Sequence, residues 1–454
     1  MHKAISASKS SRVEKRKTIS GFSKLNKRGK IKWIVETFFK DPEVVMQELK
    51  SYWLKNEEQQ KILDGFSENT ISVFPMPFSV APNFVINDRD YCVPMVIEES
   101  SVVAAAASAA KYWMSRGGFT AKVIDVIKLG QLHFNFNGTP DRIELILSKH
   151  ESYFRKKLKP YTQNMEARGG GILDFQLREF KEEPGYYQIM MSFDTRDSMG
   201  ANFINTILEE FAKLLDAKIK EEFAGLYEYS TIMCILSNYT PDCVVEASVS
   251  CPVSDLRTKP GEDVEGLAQM FKQAIRIAEI DPYRATTHNK GIFNGIDSVV
   301  IATGNDFRAI EAAGHTYAAR DGQYRSLSQC TVEDGIFKFS VKVPLALGTV
   351  GGLTKLHPIA KRSLELLGNP SATELMEIVA CVGLAQNFAA VRSLVTTGIQ
   401  QGHMKMHLSN VLNQLKATEQ EFKLAVEHFS NEIVSHRSVK DFIEALRLKK
   451  LDQE

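Results

Sequence analysis

Apolar positions along the chain fall into runs of recognisable period. From Lys24 onward, Ile31, Ile34, Val35 and Phe38 recur at helical spacing and predict a helix. Between Thr70 and Val96, the run "TISVFPMPFSVAPNFVI" alternates with period two and predicts strands interrupted by proline turns. "EESSVVAAAASAAKYWMSRGG" follows, with Ser100 or Ser101 suited to an N-cap and Gly117–Gly118 to a C-terminal stop. The body of that helix is nearly all Ala, Val and Ser, thin side chains that suit a tightly buried core helix or the close approach of a flat ligand.

From about Lys122 the texture changes. "AKVIDVIKLGQLHF" and "RIELIL" predict strands, Lys149 to Lys159 a basic helix, and "RGGGILDF" and "YYQIMMSF" further strands. A helix from about Ser198, capped by Asp197 or Ser198, carries Ile204, Ile207, Leu208, Phe211, Leu214 and Leu215 on one face. A second helical region returns from Glu262, with Val264, Leu267, Ala268, Phe271, Ile275 and Ala278 on its stripe. It must end near Asp281, because Pro282 cannot continue it. "DPYRATTHNKGIFNGID" then shows no apolar face from Tyr283 to Gly291 and predicts an irregular connection.

These elements predict an α+β fold with no internal repeat. A large mixed helical and sheet domain (1–125 and 238–397, with 1–20 disordered) receives an inserted small α+β domain (126–237). A helical flap (398–454) closes the chain. The small domain is not a standard Rossmann unit, since no G-x-G-x-x-G follows a predicted strand.

Composition narrows the class. A hydrophobic share of 44% and a charged share of 24% are those of a soluble globular protein, and a net charge of +1 gives no bias toward nucleic acid. The apolar run Val102 to Ala110 falls short of the ~20 residues that cross a bilayer. Six scattered cysteines, with no C-x-x-C pair and no His at zinc spacing, suggest reduced thiols in the cytoplasm and no metal. The first twenty residues are a basic arm without the apolar core of a secretory signal.

Candidate chemistry sits on a few segments. In "DTRDSMGANFINT", Gly200 and Ala201 leave a helix start bare, so its free N–H groups suit a phosphate, and Asn202 adds an amide. A plain capped helix fits the same residues. Arg284 has the fork for a carboxylate, and Lys290 can stabilise an oxyanion or donate a proton. Asp306, at a helix entry in "ATGNDFRAIEA", drawn against Lys290 makes a polarised pair; a solvated ion-pair cluster is the other reading. Glu98 and Glu99 precede the small-residue helix, and His403 in "GIQQGHM" lies on a glycine-flanked hinge that suits a gated acid.

Together with "LGTVGGLTKLHP" and "GLAQNFAAVRSL", these segments resemble hydroxymethylglutaryl-CoA reductases of the soluble prokaryotic class, in the family's order, over roughly residues 69 to 404. The resemblance implies two successive hydride transfers from NADPH or NADH that interconvert hydroxymethylglutaryl-CoA with mevalonate and coenzyme A. It assigns catalysis to Glu99, Lys290, Asp306 and His403, and substrate binding to Arg284, Ser101, Asn294 and Asn387. It assigns the cofactor to Asp197, Met199, Gly200 and Asn202, and implies a homodimer with active sites at its interface. Thr162 falls where members preferring NADH carry an Asp against the ribose. With Lys156, Lys157 and Lys159 nearby, this implies that NADPH is used at least as well as NADH. His288 reads as structural. Another CoA-dependent enzyme, or a non-catalytic nucleotide-binding protein, is the alternative.

Overall fold

Two helix starts in the first unit of the chain are fixed by local side-chain caps. The computed structural model describes residues 17–396, 408, 409, 411–429, 432 and 434–451. It divides into two units, residues 1–76 with 356–358 and residues 77–355 with 359–454. In the first, α1 (Lys27–Phe38), α2 (Pro42–Ser51) and α3 (Glu57–Asp64) follow one another. The Asn26 side chain accepts from Gly29 N and Asn56 from Gln59 N, while Ile31 and Val35 bury the predicted stripe.

The second unit opens with a hairpin of β1 (Phe78–Ile86) and β2 (Arg89–Val96). Its two-residue turn places Asn87 at φ 48° and Asp88 at φ 62°, which short polar side chains tolerate. Then come α4 (Ser100–Met114), β3 (Thr120–Val123), β4 (Lys128–Phe136), α5 (Pro140–Glu166), β5 (Gly171–Glu179), β6 (Tyr186–Asp194), α6 (Ala201–Glu222) and β7 (Tyr229–Ser237). β8 (Val244–Pro252), α7 (Val264–Ile280), α8 (Pro282–Ala302), α9 (Phe307–Ala318), β9 (Ser328–Glu333) and β10 (Ile336–Pro344) follow. The chain continues through α10 (Gly352–Leu356), α11 (Pro358–Leu366) and α12 (Ala372–Val395) to helices Glu419–His428 and His436–Leu451.

Two antiparallel sheets of four strands result, ordered β3-β8-β10-β9 and β5-β6-β4-β7. In the second, β6 lies between β4 and β5, and the order β-α-β-β-α-β makes a split β-α-β unit. Phe134, Phe154, Phe193, Ile204, Ile207 and Phe211 form its own buried core. The first sheet shares a core with α4, α7, α8 and α12, where Phe388 stands 5.1 Å from Trp113 and 5.5 Å from Phe271. A third cluster gathers Leu408, Leu412, Phe429 and Val439. The mixed architecture agrees with the predicted α+β class. All six cysteines are unpaired.

Four local expectations are corrected. "RIELIL" is no strand: it lies in α5, where Ile143 and Ile146 join Phe154, Leu158 and Met165 on a buried helical stripe. Six residues are too few to separate the two periods. The segment after Asp281 is no irregular connection but α8. Pro282 ends α7 and starts α8 as its first residue, where no N–H is needed, and the Asp281 carboxylate accepts from Tyr283 N and Arg284 N. The buried face of its first turns is made of Ala285, His288 and Asn289, so it carries no hydrophobic period. Finally, neither serine caps α4, since Glu99 holds that position, and α6 starts from Gly200.

Among the described residues α12 is long and apolar enough to cross a membrane, yet 67% of that stretch is buried inside the protein, as in a core helix.

Between α8 and α9, burial and the adjoining Glu311 carboxyl push Asp297 up to about 8, and Asp297 Oδ1 has no hydrogen-bond partner. A carboxyl raised on folding contributes stability that is present at low pH. That contribution is lost as pH climbs from the ordinary carboxylate range toward 8. Asp297→Asn is therefore expected to raise the melting temperature at pH 8 and leave it nearly unchanged at pH 4. Equal shifts at both pH values would refute this.

Candidate active site

Helix α8 builds most of the site. Arg284, Thr287, Gly291 and Asn294 recur three or four residues apart, so helical geometry brings them to one face. Lys290 stands beside them and is exposed. This face borders a cavity of about 610 Å³ that Glu99 and Ser101 enter from the start of α4, and Asn387 from α12. The structure thus brings together six of the predicted site residues: Glu99, Ser101, Arg284, Lys290, Asn294 and Asn387.

The Ser101 hydroxyl donates to the Glu99 carboxylate, so an acid and a hydroxyl are held together at the rim. Arg284 is half-buried, and burial lowers its pKa from the ordinary value. No carboxylate pairs with it among the described residues, so a desolvated fork of donors faces a cavity large enough for an acyl group. Gln386 also lines the cavity, and its buried Oε1 has no hydrogen-bond partner. Sequence reasoning passed over Gln386 and Thr287. The polar pair Gln386–Asn387 inside the apolar middle of α12 was the available signal.

Asp306 is not in this cavity. Its carboxylate caps α9 by accepting from Arg308 N and Ala309 N, and Arg308 Nη2 lies 3.1 Å away. The expected pairing with Lys290 presumed a loop. With α8 helical, Lys290 to Ala302 spans about 18 Å along the axis, and the two residues of one chain are held apart. His403 lies outside the described residues.

The cofactor motif occupies the turn between β6 and α6. Gly200 adopts φ 90° as the N-cap of α6 and offers no side-chain cap, so the first-turn N–H groups stay available for an anion. Asn202 is exposed on that turn. Asp197 does not cap α6; its Oδ1 accepts from Ala372 N at 2.8 Å, at the start of α12. Its carbonyl accepts from Thr349 N and Val350 N. A Cβ on Gly348 would sit 2.5 Å from Met199 N, so this loop and the motif pack backbone to backbone. Beneath, the buried Lys128 ammonium donates to Thr195 Oγ1 at 2.6 Å and the Ser198 carbonyl at 2.9 Å, and burial lowers its pKa. A cavity of about 230 Å³ beside it is lined by Asp194, Arg196 and Asp197. The bare helix start fits a phosphate-bearing group, while Arg196 is held by the Asp194 carboxylate at 3.4 Å and by the Gly169 carbonyl. Thr162, expected to face a ribose, is buried with its hydroxyl on Glu166, whereas Lys156 and Lys157 are exposed. Among the described residues no cluster of three His, Cys, Asp or Glu could hold a metal ion.

Comparison with known proteins follows the same lines. A family model described as hydroxymethylglutaryl-coenzyme A reductase matches residues 32–408. The 3-hydroxy-3-methylglutaryl-coenzyme A reductase of Archaeoglobus fulgidus is 39% identical over 372 residues, 81% of each chain. A probable enzyme of that name from Borreliella burgdorferi is 32% identical over 90% of this chain and 89% of its own. The class II reductase of Streptococcus pneumoniae, solved bound to NADPH in open conformations, superposes with a TM-score of 0.69 at 36% identity. The superposition covers 89% of this chain and 99% of that one.

Proposed function

The chain belongs to the hydroxymethylglutaryl-coenzyme A reductase family, and on that premise we propose how its own residues carry the reaction. It is an oxidoreductase that interconverts hydroxymethylglutaryl-CoA with mevalonate and coenzyme A, using two reduced nicotinamide cofactors. The observation that carries the site assignment is the cavity wall on which Arg284, Lys290, Asn294, Glu99, Ser101 and Asn387 converge.

Arg284 takes the free carboxylate of the substrate with its two parallel N–H donors. Lys290 stands at the reacting carbonyl, where an ammonium stabilises the negative oxygen that forms in each reduction. Bound NADPH supplies a hydride in each of the two steps. Coenzyme A departs as a thiolate, and His403 protonates it. Glu99, oriented by the Ser101 hydroxyl, delivers a proton through Lys290 to the alkoxide of the second reduction. Asn294 and Asn387 hold the polar middle of the substrate. Asp197, Met199, Gly200 and Asn202 would hold the cofactor, the uncapped first-turn N–H groups of α6 being suited to its phosphates.

Because α8 runs about 18 Å from Lys290 to its end at Ala302, before the turn that leads to Asp306, we place Asp306 of a second copy against Lys290, which makes the enzyme a homodimer. The small domain 126–237 carries the cofactor, supported by its separate sheet and core. The flap 398–454 carries His403 over the substrate. We read the enzyme as cytoplasmic, without a membrane or nucleic-acid partner.

The assay is the fall in reduced-nicotinamide absorbance when hydroxymethylglutaryl-CoA is added, and its rise with mevalonate, coenzyme A and oxidised cofactor. Two cofactors oxidised per coenzyme A released is the expected stoichiometry. Release of coenzyme A without oxidation would turn the reading to an acyltransferase or lyase, and silence in both directions would refute it. NADPH is expected to give a kcat/KM at least equal to that of NADH, supported by the exposed Lys156 and Lys157. A preference for NADH of roughly a hundredfold, about 2.8 kcal/mol, is the contrary outcome.

A further inference from the structure

His288 sits on α8 between Arg284 and Lys290 and borders the cavity, yet it is only 2% exposed, and its imidazole closes a ring of hydrogen bonds. His288 Nε2 lies 2.6 Å from Ser328 Oγ, Ser328 Oγ lies 3.2 Å from Asn387 Oδ1, and Asn387 Nδ2 lies 3.5 Å from His288 Nδ1. The His288 carbonyl, 3.4 Å from the Asn387 nitrogen, fixes which way the amide faces, and with it only one assignment of protons satisfies all three. An amide oxygen can only accept, so the serine hydroxyl donates to Asn387 Oδ1. Ser328 Oγ then receives its own hydrogen bond from Nε2–H, and Nδ1 is left to accept from the amide nitrogen. The ring therefore holds a neutral imidazole protonated on Nε2. Burial and the neighbouring Arg284 push His288 down to about 3, in the same direction. The Asn387 nitrogen is also within 3.4 Å of the His288 carbonyl, so both its N–H groups are engaged.

We infer that His288 and Ser328 are positioning residues that lock the Asn387 amide so that its carbonyl oxygen is the group it has left to offer the cavity. Asn387 then recognises a donor, the hydroxyl on the substrate's branched carbon, and rejects the flipped amide that would present N–H instead. The inference rests on the cavity being the site of hydroxymethylglutaryl-CoA.

His288→Leu and Ser328→Ala are each expected to raise the KM for hydroxymethylglutaryl-CoA about tenfold, as loss of one orienting hydrogen bond does, with the KM for NADPH unchanged. His288→Gln, whose amide N–H reaches toward Ser328, is expected to recover most of that loss. In the pair His288→Leu with Asn387→Ala, the loss is expected to equal that of Asn387→Ala alone, because there is no amide left to orient. Losses that multiply in the double variant, or a Gln variant no better than Leu, would overturn the inference. If His288→Leu fails to fold, Ser328→Ala, which removes a single oxygen, gives the same readings in its place. A wild-type protein that oxidises no NADPH with this substrate would instead defeat the reductase reading.

Discussion

Lys290→Met is expected to lower kcat about 10³-fold while the melting temperature stays within about 2 °C of the parent. The side chain is exposed on α8, and Asp306, its proposed partner from a second copy, keeps Arg308 and the first turn of α9, so its removal leaves no cavity and strands no charge. Surface changes of this kind stay within about 0.5 kcal/mol. The chemical loss comes from a different place. Reduction of a thioester and then of an aldehyde puts charge on one oxygen twice. A preorganised donor at such an oxygen is worth about 10²–10³ in rate, with proton delivery adding to it. A guanidinium in place of the ammonium would keep the charge but spread it over a planar fork, so Lys290→Arg should recover little. Steady-state kinetics beside a thermal melt decides the matter. A variant that melts normally and keeps a tenth of the parent turnover would remove Lys290 from the chemistry.

Gly295→Val is expected to lower the melting temperature by about 5 °C or more and to raise the KM for hydroxymethylglutaryl-CoA. Gly295 is on the buried side of α8 where α12 crosses. A Cβ there would lie 2.7 Å from the Val382 carbonyl oxygen and 2.9 Å from Gln386 Cβ. On the other helix, a Cβ on Gly383 would meet Ile296 at 2.8 Å. The two backbones approach because both residues lack side chains. Valine brings about 0.5 kcal/mol of helix propensity over glycine, against an overpacking cost of about 3 kcal/mol, so the clash wins. The functional arm has the same origin: Gln386 and Asn387 ride on the displaced turn of α12 and line the substrate cavity. Denaturant and thermal unfolding, with the KM measured on the same sample, test both arms. An unchanged melt would mean that α8 and α12 separate freely.

Part of the candidate site was legible in the order of the residues. Arg284 and Lys290 stood out by residue type, Glu99, Ser101, Asn294 and Asn387 through the resemblance of their motifs to a family, and the fold brings all six to one cavity. The family match over residues 32–408 bears out the resemblance carried by those motifs. Helices with an apolar stripe, such as α6 and α7, were equally legible, since their period comes from burying one face. What needed three dimensions was each place where a polar residue is buried against a distant partner. The first turns of α8 hide His288 and Asn289, satisfied by Ser328, Asn387 and the Arg325 carbonyl, so no hydrophobic rhythm announces that helix. Asp197 reads as a local cap, yet its carboxylate serves Ala372, far along the chain. Periodicity records which side chains leave water for a greasy interior. Buried polar groups obey another rule, a hydrogen-bond partner for nearly all of them, and those partners exist only once the chain has folded.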